Sequence, residues 1–363
     1  MSSSNLLNRY FIFSLFILSC TLLKSQNSEK VSDAVKITNF IQLYHGYETR
    51  LPWHNNEIKH YVYKDNDGVP EWLFDGFLFL EIYADFGDKR YDYGALMPGK
   101  LAPGKEVWEN LICKTFEDTR GPNALESVLD SLALKGHIPP YRRTVVFTLP
   151  NPIFGTVDWG FVEGKALDFT KIEDRFIAAK WYISRILDEW QKREYKHINF
   201  GGFYWQHEGI DFDNDDHLLV QMINEHLRSM QINSYWLPHY GANGVDEWKT
   251  LGFSYAYEQP NYYFYPDGDP KMISNTVKKT KDLDMGIMLE FDHKVIDQPD
   301  PYKKSINLYI DEFEKGGIWE SGAVNFYDGA DGWYRLATSE DIEAKKMYNK
   351  LCRIISKRNG LHQ

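Results

Sequence analysis

Apolar positions along this chain fall into two alternating patterns. Short runs rich in Val, Ile, Phe, Tyr and Trp, closed by Gly, Pro or polar residues, occur at 38–45, 76–83, 143–149, 197–205, 232–238, 252–257, 285–291 and 323–327. Between them, helical periodicity runs through 108–116, 124–134, 172–194, 213–230, 269–281, 305–315 and 339–357. The first pattern predicts strands and the second helices. In the segment 172–194, Phe176, Trp181, Ile183, Ile186, Leu187 and Trp190 fall at spacings near 3.6, and Asp168 and Thr170 precede it as cap candidates. Ser339 is the expected cap of the last helix. Eight strands alternating with helices predict an α/β fold, a single-domain (β/α)8 TIM barrel. The alternative, an open doubly wound sheet, usually shows a Gly-rich phosphate turn after its first strand, and His45-Gly46-Tyr47-Glu48 is no such turn. The segment 84–105, rich in Gly, Pro and Asp, reads as a loop inserted after the second strand, on the face where barrels place their sites.

The N-terminus follows neither pattern. Arg9 precedes an apolar run from Tyr10 to Leu23, shorter than the roughly 20 residues that span a bilayer as a helix. A basic residue, a short apolar run and small residues after it predict a secretory signal peptide over 1–25, with the barrel occupying 26–363. Cleavage after Ser25 releases a soluble secreted or periplasmic protein. Ile17-Leu18-Ser19-Cys20 loosely resembles a bacterial lipobox, and lipidation of Cys20 would instead anchor the chain to the outer membrane as a lipoprotein. The apolar run continues past Cys20, which favours the soluble product. No second long apolar run occurs, so no transmembrane segment is expected in the mature chain.

Composition narrows the function. The 52 acidic and 41 basic residues give a net charge of −11, against a dedicated nucleic-acid binder, which needs clustered Lys and Arg. Aromatic residues make up 16% of the chain, a proportion that asks for a purpose. Cys113 and Cys352 are too few and too far apart for a disulfide framework and read as buried thiols. The stretch Asp211-Phe212-Asp213-Asn214-Asp215-Asp216 lacks the Gly and distant Glu of a calcium loop, and reads as carboxylates at a helix N-terminus. Neither a zinc His-x-x-x-His helix nor a Ser nucleophile elbow is present, so no metal or other cofactor is expected.

In a barrel, the C-terminal ends of the strands share one mouth. Those ends carry Tyr44 and His45, Glu81, Tyr204, Trp205, His207 and Glu208, His239, Tyr257 and Glu258, Glu290, and Tyr327, with Trp333 nearby. Two carboxylates in an aromatic cleft are what glycoside hydrolysis requires. One protonates the leaving oxygen, and burial beside Tyr204 and Trp205 would raise its pKa for that task. The other attacks the anomeric carbon or activates water. Tyr and Trp faces suit the apolar C–H faces of sugars, so the expected partner is a carbohydrate.

Glu208 after the fourth strand and Glu290 at the end of the seventh resemble the arrangement of the clan A retaining glycosidases. That resemblance implies Glu208 as general acid/base and Glu290 as nucleophile, with Tyr257 where the clan often has a tyrosine bonding the nucleophile. The clan usually has Asn immediately before its acid/base, and this chain has His207. More closely, Gly202-Phe203-Tyr204-Trp205-Gln206-His207-Glu208, with Asp75-Gly76-Phe77, resembles the bacterial secreted family catalogued as domain of unknown function 4855, a name that carries no reaction. Glu258 and Glu81 are the substitutes if Glu290 faces away. A non-catalytic glycan-binding barrel and a metal-dependent hydrolase of another class are the competing readings.

Overall fold

The computed structural model describes residues 37–44 and 53–359. The expected signal segment 1–25, Cys20 and His45 lie outside the described residues. Eight parallel strands close into a barrel: β1 (Asn39–Tyr44), β2 (Gly76–Leu80), β3 (Arg143–Leu149), β4 (Ile198–Trp205), β5 (Asn233–Trp236), β6 (Tyr255–Glu258), β7 (Gly286–Glu290) and β8 (Val324–Tyr327). Each pairs with its sequence neighbour, and β1 pairs with both β2 and β8. The expected (β/α)8 architecture is therefore the one found. The helices that pack around it include α1 (Asn55–Val62), α2 (Lys105–Thr115), α3 (Gly121–Leu134), α4 (Ile172–Gln191), α5 (Asp216–Ser229), α6 (Lys271–Leu283), α7 (Pro299–Lys315) and α8 (Ile342–Asn359).

The period-2 geometry of a strand divides each one between two environments. On β1, Phe40 and Tyr44 join the barrel interior while Ile41 and Leu43 join the shell beneath the helices. On β2, Leu78 and Leu80 face inward and Phe77 and Phe79 outward. Both faces are buried, so these strands read as nearly unbroken apolar runs rather than as alternating ones. The outer shell absorbs most of the rings. Trp53, Trp108, Trp159, Trp236 and Trp333 are all fully buried there.

Strand β4 breaks its own alternation. Ile198 and Phe200 face outward, and so do Phe203 and Trp205, a change of parity along one strand. A bulge between Phe200 and Gly202 inserts the extra residue. Glycine permits it: Gly202 has φ +137, and a Cβ there would lie 2.0 Å from the Asn233 carbonyl oxygen. The bulge turns Tyr204 into the barrel and Trp205 out of it.

Among the described residues three hairpins decorate the barrel, pairing Tyr63–Asn66 with Val69–Trp72, Tyr83–Phe86 with Lys89–Asp92, and Gly160–Val162 with Lys165–Leu167. The second lies in the loop expected after β2. Buried Asp92 shapes the rest of that loop by accepting the backbone N–H groups of Gly94, Ala95 and Met97 at 2.8, 3.1 and 3.0 Å. Two expected caps are displaced. Lys171 holds the cap position of α4, and Asp168 instead accepts bonds from Thr170. For α8, Asp341 accepts the Ala344 N–H at 2.8 Å, and Ser339 supports Asp341. Cys352 is buried, but Cys113 is exposed rather than buried; the two thiols are unpaired. No described helix is long and apolar enough to cross a membrane.

Candidate active site

At the C-terminal mouth the barrel opens into a cavity of about 770 Å³. Its floor is the last inward layer of the strands: Gln42 and Tyr44 from β1, Leu80 from β2, Met288 from β7 and Tyr327 from β8. Its walls are the segments after β2, β4, β5 and β6. The Tyr44 hydroxyl lies 3.3 Å from that of Tyr327, and Gln42 donates to the Asn325 side-chain oxygen at 2.6 Å. Tyr204, His207, Glu208 and His239 line the cavity with them. Among the described residues four carboxylates line it, Asp92, Glu208, Asp211 and Asp213, and no Lys or Arg does.

Glu208 stands in the cavity wall with its side chain open to solvent yet crowded by protein mass. That crowding raises its carboxyl above the usual range, and a hydrogen bond with Gln259 and the nearby His239 and His207 partly offset it. Glu290 is deeper and has no exposed surface. The Tyr309 hydroxyl donates to its Oε2 at 2.5 Å, and Asn261 Nδ2 donates to its Oε1 at 3.2 Å. Burial pushes Glu290 up to about 8 against these donors, with Glu208 adding a like charge nearby. Asn261 also reaches Gln259 Oε1 at 3.4 Å, so Glu208, Gln259, Asn261 and Glu290 form one connected set of polar groups.

His207 sits on a buried support. Its Nδ1 lies 3.3 Å from Asp216 Oδ2, and Arg175 Nη2 donates to Asp216 Oδ1 at 2.5 Å. Arg175 places its other donors on the carbonyls of Pro152 and Asn214. Two carboxylates of the acidic stretch have structural partners, and Asp211 and Asp213 also line the cavity. Asp216 opens α5 as its first residue, and Asp211 accepts bonds from Asp213 and Asn214. Among the described residues no group of three His, Cys, Asp or Glu side chains is arranged to hold a metal ion.

Several expected site residues lie elsewhere. Trp205 packs in the outer shell because of the bulge, so it does not shield Glu208 from the cavity side. Tyr257 packs in the barrel interior, its ring centroid 5.6 Å from that of Phe40, and the hydroxyl that reaches Glu290 belongs to Tyr309 of α7. Glu258 faces outward to Lys279 of α6 at 3.3 Å. Glu81 is buried beside the Ile82 backbone N–H and does not line the cavity. Trp333 is core, donating to the His60 carbonyl.

Other lining groups were not expected as site residues. Gln42, Gln206, Gln259, Asn243 and Asn261 are ordinary amides until the fold brings them together. Gln206 and Gln259 do follow the ends of two apolar runs in the sequence; in the fold Gln206 bonds the Glu81 carbonyl at 2.7 Å and Thr148 at 3.1 Å. Asn261 has φ +56, a left-handed turn that Asn tolerates better than most residues.

Solved structures match this chain at low similarity. An endo-beta-1,4-mannanase from Thermotoga petrophila is 12% identical, with a TM-score of 0.45 over 90% of this chain and 77% of that one. A proposed alpha-L-fucosidase from Bacteroides thetaiotaomicron VPI-5482 is 12% identical, with a TM-score of 0.46 over 90% and 99%. A D-psicose 3-epimerase is 12% identical, with a TM-score of 0.37 over 89% and 97%. The reaction of this chain has to be read from its own residues. No curated protein matches it. Residues 39–353, nearly all of the barrel, match the family described as "Domain of unknown function (DUF4855)", and the chain belongs to that family.

Proposed function

We propose that this chain is a glycoside hydrolase acting on a polysaccharide or oligosaccharide, with Glu208 as proton donor and Glu290 as the second carboxylate. The observation that carries this reading is the setting of Glu208: a carboxyl with a raised pKa in the wall of a roomy cavity whose described lining offers rings, amides and further carboxylates. Such a lining suits a substrate rich in hydroxyls. A raised pKa favours the protonated form of Glu208, the form a leaving-group acid requires.

In a retaining reaction Glu290 bonds to the anomeric carbon as Glu208 protonates the departing oxygen, and Glu208 then deprotonates the water that releases the sugar. Glu290 is sealed behind Asn261, so this route requires the Asn261 amide to give way as a sugar enters. Carboxyl groups about 5–5.5 Å apart in a sugar complex would fit retention, and roughly 6.5–9.5 Å inversion. The test is a screen of plant and host glycans with Glu208→Gln and Glu290→Gln beside the parent chain. Proton NMR of the first-formed anomer gives the stereochemistry. Full hydrolysis by folded Glu208→Gln would sink the proposal.

The burial of Glu290 favours one second reading, a glycan-binding barrel without catalysis. Titration calorimetry with intact polysaccharide, and no product by chromatography, would select it. We also read residues 1–25 as an export signal. N-terminal sequencing and mass spectrometry of the mature protein decide between cleavage after Ser25 and a lipid on Cys20.

A further inference from the structure

The sequence alone gave Arg175 and Asp216 no part in the site, yet both point their bonds at it. Asp216 is buried, and its two oxygens are divided between Arg175 and His207. Arg175 is itself buried and cannot leave, because its Nε and Nη1 are committed to the Pro152 and Asn214 carbonyls. Asp216 also lies in the first turn of α5, where the helix dipole favours negative charge. The guanidinium and the imidazole beside it hold Asp216 below the ordinary carboxylate range against its burial.

An ionised carboxylate only accepts hydrogen bonds. The ring nitrogen that faces it must therefore carry the proton. In neutral His207 that nitrogen is Nδ1, and Nε2 is left with a lone pair. His207 lines the cavity beside Glu208. Its backbone is fixed as well, since Trp236 Nε1 donates to the His207 carbonyl at 2.9 Å.

We propose that Arg175 and Asp216 are positioning residues that lock His207 in its Nδ1–H tautomer, making Nε2 the hydrogen-bond acceptor for a hydroxyl of the bound sugar. The choice of a hydroxyl rests on the glycosidase reading; the tautomer does not. The arrangement makes His207 a selective contact. Neutral His207 takes a donor hydroxyl at Nε2 and offers that position no proton of its own.

The tautomer is measurable without any substrate. Long-range ¹H–¹⁵N correlation spectra of the full chain, with ¹⁵N-labelled histidine and His207 assigned by its loss in His207→Asn, should show a protonated Nδ1 and an unprotonated Nε2. In Asp216→Asn the preference should weaken or reverse. An Nε2–H tautomer in the parent chain, or the same Nδ1–H tautomer in folded Asp216→Asn, would overturn the proposal. If Asp216→Asn does not fold, Arg175→Lys serves as the second variant and should also broaden the tautomer mixture; an unchanged spectrum would count against the lock. The sugar contact is read by titration with whichever glycan the screen finds. His207→Phe should bind at least about tenfold more weakly, with His207→Gln recovering part of the loss. Equal binding by all three would remove the contact and leave the tautomer standing. Were the chain to hydrolyse nothing, the spectra would still decide the tautomer.

Discussion

The two ends of the barrel hold the same kinds of residue and use them differently. At the N-terminal end, Asp75 accepts the backbone N–H groups of Thr38 and Asn39 at 2.9 and 2.7 Å. Arg358 beside it places bonds on Asn39 Oδ1 and on the carbonyls of Ile318, Trp319, Thr38 and Gly322. Phe40, Tyr235 and Tyr257 fill the interior above them ring against ring. At the C-terminal end, Tyr44, Tyr204 and Tyr327 border open space, and two carboxyls sit near it with raised pKa values. A carboxylate bonded by two N–H groups is structure. A carboxyl whose pKa is raised by crowding beside a cavity is placed to do chemistry. The difference lies in the surroundings and not in residue type.

The comparison can be broken most sharply at Glu208. Glu208→Gln should lower turnover by about 10³-fold, within the range for loss of a general acid, while leaving the thermal midpoint nearly unchanged. A large fall in stability instead would place Glu208 with the structural carboxylates. Arg358→Met at the other end should do the reverse. Losing a buried cation with five bonds should cost about 3 kcal/mol in urea unfolding, with activity per folded molecule retained.

Tyr309→Phe comes next. It removes a donor that favours the ionised form of Glu290, and turnover near neutral pH should fall about tenfold. Loss of a bond that favours the ionised form moves Glu290 further up from about 8, so activity should recover as pH rises. An unshifted pH profile would separate Glu290 from the reaction. The smallest effect is on stability. Glu290 keeps its proton in the folded chain to about 8 but loses it near 4.3 when unfolded. Its stabilising contribution is complete below the unfolded value and is lost as pH rises through about 8. Asp328, buried and raised to about 7, acts in the same sense. Denaturation followed across this window should show a shallower decline in Glu290→Gln than in the parent chain.

Much of this was legible in the chain. Strand β3 occupies the residues its apolar run predicted, 143–149, because a strand buried on both faces needs no partner to be recognised. The order of strands and helices was enough for the barrel, since parallel neighbours joined by helices close in few ways. Strand ends put Tyr44, Tyr204, His207, Glu208, His239 and Tyr327 at one mouth by topology alone.

What the chain could not show depends on contacts between distant segments. Trp205 faces away because two glycines let β4 slip by one residue, and a bulge shifts parity without changing composition. Tyr309 replaces Tyr257 at Glu290 because a helix side chain reaches between strands, and no strand-end reading counts helices. Asp216 left the acidic stretch to hold His207 because Arg175, 41 positions away, folds against it. Local pattern determined which residues form strands, since burial on a pleated surface is a property of neighbours in sequence. Which carboxyl meets a cavity and which meets an N–H group was decided only in three dimensions, because a pKa is set by charges, donors and solvent gathered from the whole chain.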